Sequence, residues 1–201
     1  MPKQSADNYL AKEEWRERRS SHRLVVLLFA ITALSTSVVH IYFNSFGLIS
    51  ELRFAAIHFG TFGFLCALVY PLREKNADQT PWILFDVMIG FVALFCGLYF
   101  LFNDVAYWDR GGKMTDMDWW VAFTSVAVAL ELLRRTMGIF IPILILIALS
   151  YAAFWGEHID GIFRFPGISF EELLARSYFV DLGLFGDIAQ ISMTYVFMFV
   201  M

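Results

Sequence analysis

The chain has 201 residues, 59% of them hydrophobic and 17% charged, with 22 phenylalanines and a net charge of −4. A water-soluble domain carries about a quarter of its residues as charged side chains, and a nucleic-acid binder concentrates positive charge, so both classes are excluded. Apolar runs of 15 to 21 residues, without the short alternating segments of a β-barrel, predict an all-α polytopic membrane protein of about five spans with a truncated sixth.

Residues 1–23 form a polar tail with six Lys/Arg against four Asp/Glu. An amphipathic helix over 9–19, using Leu10 and Trp15, and a solvated tail held inside by its positive charge are both open readings. The first span covers 24–43 and ends near His40, Tyr42 and Asn44. It follows a charged tail and lacks a small-x-small cleavage site, so it reads as a retained span. The turn SFGLISELR leads to a second span over 54–70, stopped by Pro71. After the loop LREKNADQT, Thr80 is placed to cap a third span over 82–102, with Pro81 at its first helical position. Cys66 and Cys96 fall inside these spans without metal-ligand spacing and read as small buried apolar residues.

The loop NDVAYWDRGGKMTDMD turns at Gly111-Gly112, and Asp118 is positioned to cap the next helix beside the interfacial pair Trp119 and Trp120. The run from Trp119 to Trp155 has only Glu131, Arg134 and Arg135 as charges. As one helix it would be about 55 Å long against a hydrocarbon core of about 30 Å. It therefore divides into spans over 119–133 and 137–155, with the arginines at a membrane face between them. An N-terminus inside puts ten of the fifteen Lys/Arg on the inner side, the arrangement expected of a protein of the cytoplasmic membrane. Residues 156–180 make an outer segment in which Ser169 and Glu172 have capping-box spacing, opening a short helix to Tyr178. The chain is apolar again from Ile188 to Met201, and that open apolar end predicts the N-terminal part of a longer protein.

Few residues invite chemistry. His40 and His58 fall near the same face at similar depth, as a bis-histidine haem site requires, and this makes a haem-bearing anchor of a redox complex the alternative function. Asp86 reads either as an intramembrane acid for proton or cation coupling, or as a first-turn carboxylate favoured by the helix N-terminus and wetted by the interface. Glu131 precedes Arg134 and Arg135 by three and four residues and can pair with either, closing the hairpin, or the arginines can meet a lipid phosphate or a partner subunit. Asp181 and Asp187 flank LGLFG, either capping the last helix or facing a partner. No catalytic constellation, metal cluster or phosphate loop is present, which predicts a protein that is not an enzyme.

The runs ALELLRRTMGIFIPILILIALSYAAFWG and PGISFEELLARSYFVDLGLFGDIAQISMTYVFMFV, with FGLISELRFAAIHFGTFGFLCALVYPLR upstream, resemble the fused permeases of tripartite ATP-independent periplasmic (TRAP) transporters of the TAXI type. The resemblance implies a small-subunit-like scaffold over 24–155, an outer loop over 156–180, and the start of a large elevator module over 181–201. It also implies coupling to a cation gradient, usually Na⁺, through residues outside this sequence, and delivery of an organic solute by a periplasmic binding protein.

Overall fold

The computed structural model describes residues 22–73, 77 and 79–200, and every regular element among them is helical. The segment 9–19 lies outside the described residues. Helices α1 (Arg23–Ser45), α2 (Glu51–Val69) and α3 (Thr80–Asp109) follow one another, and α3 runs on past the expected span for 30 residues, about 45 Å. Nothing in NDVAYWD breaks a helix, so α3 ends only where Gly111 and Gly112 take φ of +69° and +76°. Its cap residue is Gln79, one position before the expected Thr80, because Thr80 already has helical geometry ahead of Pro81.

Helices α2 and α3 form the closest pair. Small residues line their seam: Ala56, Gly60 and Gly63 on one side, Gly90, Ala93 and Gly97 on the other. A Cβ on Gly97 would lie 2.4 Å from the Ala56 carbonyl oxygen, so the two backbones touch there. In lipid, such contact replaces the hydrophobic drive that holds soluble helices together.

Helix α4 (Asp116–Met137) starts at Thr115, not at Asp118. The Thr115 hydroxyl accepts from the Asp118 N–H while the Asp118 carboxylate accepts from the Thr115 N–H, a reciprocal capping box that displaces the simpler expectation. The helix stops at Gly138, whose φ of +85° and ψ of −176° suit glycine alone. Helix α5 (Phe140–Ser150) continues through a π-type turn, Tyr151–Trp155, and a 3-10 turn, Gly156–His158. Among the described residues, four helices are long and apolar enough to cross a membrane: α1, α2, α3 and Phe140–His158. Helix α4 is about 33 Å long, yet acids in its first turn and charges in its last turns keep it out of that group.

Beyond α5, a 3-10 turn (Gly161–Phe163) precedes helix α6 (Phe170–Tyr178), which starts at Ser169, whose hydroxyl accepts from the Glu172 N–H. The stretch after it folds back into the bundle. Tyr178, Phe179 and Phe185 are fully buried with Phe100 in the main core, and the Tyr178 hydroxyl donates to the Cys96 carbonyl. Helix α7 (Asp187–Ile191), a π-type turn (Ser192–Val196) and α8 (Phe197–Val200) make one rod against α1 and α2.

Candidate functional site

Among the described residues, two buried polar groups tie distant helices together, and a third surrounds Asp118. The first joins the C-terminal end of α2 to the start of α3 and the end of α4. Arg135 Nη1 donates to Asp86 Oδ1 at 2.7 Å and to the Tyr70 carbonyl at 3.1 Å, while its Nε donates to Glu131 Oε1 at 2.8 Å. Arg134 grips the same Glu131 through Nε and Nη2 at 2.8 and 2.9 Å. The Leu72 N–H also donates to Asp86. Two carboxylates and two guanidinium groups leave the cluster neutral.

Asp86 and Arg135 side chains are each 1% exposed, which corrects the wetted reading of Asp86. Asp86 is a carboxylate enclosed by protein, not one wetted by the interface. The reason is mutual: a buried guanidinium needs an anion, and Asp86 supplies it across 49 residues of sequence. Arg134 is the member that reaches outward, at 35% exposure. One buried nitrogen, Arg135 Nη2, has no hydrogen-bond partner among the described residues.

The second group links α1, α2 and the last rod. His40 Nε2 and His58 Nδ1 are 2.9 Å apart, His40 Nδ1 is 2.9 Å from the Thr36 carbonyl oxygen, and His58 Nε2 is 3.3 Å from Ser192 Oγ. The haem expectation fails on this geometry. An axial pair would hold its iron between two nitrogens, each about 2 Å from it, whereas these two face each other at hydrogen-bond distance. The rings of Phe54, Phe62 and Phe197 fill the space around His40. Thr36 and Ser192, which complete the group, had no signal in the sequence, because hydroxyls and carbonyls are common in helices of every kind.

The other sequence candidates stay apart. Asp181 and Asp187 are both exposed, and the cap of α7 is Gly186, with Asp187 in the first turn. At the opposite end from Arg135, Asp118 accepts from Tyr99 Oη at 2.7 Å, Arg110 Nη2 at 2.6 Å, and the Thr115 N–H and hydroxyl at 2.8 Å each. Burial by itself would raise its pKa, but these four bonds outweigh it and hold the carboxyl below its ordinary 3.8. Arg53 forks onto Asp104 with two bonds of 2.7 Å. Nearby, Tyr107, Trp108 and Lys113 share a cavity of about 490 Å³ with Glu171, Glu172 and Arg176.

No protein-family model, curated protein or solved structure matches the chain.

Proposed function

We propose that this chain is the membrane scaffold of a TRAP-type secondary transporter, holding a cation-coupled elevator module for uptake of an organic solute. The observation that carries the reading is how the bundle spends its charges. Asp86 and Glu131 lie within the spans of the span reading and Arg134 and Arg135 at the face just beyond one, and each of the four is paired with another. Among the described residues, the two acids within the spans, Asp86 and Glu131, are both taken up by arginines, so the bundle suits holding rather than conducting. The resemblance to the fused permeases adds the partner to be held.

Two further features fit. The cavity between Tyr107, Lys113 and α6 joins the two segments assigned to the outer side into one surface with charges of both signs, suited to a periplasmic binding protein. With the N-terminus in the cytoplasm, the Arg134–Arg135 end lies inside, in keeping with the bias of positive residues.

Proteoliposome reconstitution tests the proposal. The chain, its large membrane module and its binding protein together should take up labelled solute only with an inward cation gradient, and omitting the chain should abolish uptake. Uptake at an equal rate without the chain would overturn it.

A further inference from the structure

The histidine pair has only one neutral arrangement of protons. The Thr36 carbonyl oxygen can only accept, so His40 Nδ1 carries a hydrogen and, in a neutral ring, His40 Nε2 has none. The contact between the rings then requires His58 Nδ1 to donate, which leaves His58 Nε2 bare. Ser192 must therefore donate to His58 Nε2. Every bond in the chain points the same way, from Ser192 through His58 and His40 to Thr36.

We infer that His40 and His58 form one proton-binding site shared between them, and that taking up a proton reverses the hydrogen bond from Ser192 to His58. The proton enters at His58 Nε2, because His58 borders a cavity of about 600 Å³ whereas His40 has no exposed surface. It adds to the bare lone pair there and makes an imidazolium. The hydrogen on His58 Nδ1 can then pass to His40 Nε2, leaving His58 neutral with its hydrogen on Nε2 and His40 positive. One proton is gained and nothing leaves. In both protonated forms His58 Nε2 is a donor, so Ser192 turns from donor to acceptor.

The surroundings limit the pair to one added charge. Among the described residues, no carboxylate hydrogen-bonds either ring. Instead Phe54, Phe62 and Phe197 pack their ring centroids 4.8, 5.7 and 4.6 Å from the His40 ring. The remaining titratable groups on the packed elements are Arg23 and Tyr42 on α1, Glu51, Arg53 and Cys66 on α2, and Asp187 and Tyr195 on the last rod. None of them bonds the pair, and Arg53 is held by Asp104. A second proton would put two positive rings in contact. Because Ser192 belongs to the last rod while both histidines belong to the first hairpin, the bond that reverses is one that joins the two.

Nitrogen NMR of the full chain in lipid nanodiscs, with ¹⁵N-labelled histidine, reads each ring nitrogen. At neutral to alkaline pH both rings should show the Nδ1–H tautomer. On acidification His58 Nε2 should gain a hydrogen, His40 Nδ1 should keep its own throughout, and both rings should move in a single one-proton step. In His58→Phe, His40 should titrate at a different midpoint. An Nε2–H tautomer at His40, two independent steps, an unshifted His40 in the variant, or no uptake before unfolding would each overturn the inference.

Discussion

At the scale of single residues, the ion pair between Asp86 and Arg135 is the most consequential contact. Removing one partner of a buried pair leaves the other charged and dry, at a cost of about 3–5 kcal/mol. Asp86→Asn and Arg135→Gln should each lower thermal stability in detergent by that order. The double variant Asp86→Leu with Arg135→Met should recover most of the loss, since it leaves no lone charge and keeps Glu131 with Arg134. A double variant as unstable as the sum of the single ones would show that the pair does not act as a unit. Asp118 gives a second expectation, on pH. Its folded pKa lies below the unfolded value, so its stabilising contribution is complete above the unfolded value near 3.8 and is lost as pH falls through the folded one. The melting temperature should therefore hold steady for this group from pH 8 to about 5 and drop in stronger acid. Asp118→Asn should lower it at neutral pH and flatten the acid drop.

At the scale of elements, the seam between α2 and α3 makes the sharpest demand on sequence. Gly97→Ala should cost about 1–3 kcal/mol, because the new Cβ meets backbone and not a side chain that can swing away. Gly60→Ala, whose Cβ would sit 3.3 Å from the backbone of Leu94, should cost less. Thermal unfolding of the two variants in detergent checks the order. The helices of this seam were legible as apolar runs bounded by Pro71 and Pro81, and the hairpin between α4 and α5 was legible from its length alone. The pairing of Glu131 with both arginines was written in its spacing of three and four. What periodicity could not reveal was partner choice between helices. Asp86 meets Arg135, and His40 meets His58 at bonding distance, because of how far helices slide and turn against each other, and that is set by small residues whose contacts are tertiary.

At the scale of the whole molecule, the largest difference from the sequence reading lies after α5. A stretch of polar and aromatic residues reads as a surface segment, since Glu171, Glu172 and Arg176 are plainly made for solvent. Tyr178, Phe179 and Phe185 nevertheless sit in the centre, with Phe100 meeting the Tyr178 and Phe185 rings edge-on. Aromatic residues flanking a charged turn look the same in sequence whether they belt an interface or plug a core. The result is a bundle whose late segment completes its early one.

The partnership of Asp86 and Arg135 also fixes an order of events during synthesis. A ribosome delivers Asp86 to the membrane 49 residues before Arg135, so the acid is already in place when the cation arrives. Helix α4 on its own would have Glu131 alone to share between two guanidinium groups, leaving one net positive charge towards lipid and making it a poor substrate for the insertion machinery. With α3 waiting, the same helix has somewhere to put it. Direction of translation thus becomes part of how this protein assembles, and a version with α4 encoded ahead of α3 would have to enter the bilayer without its receptor.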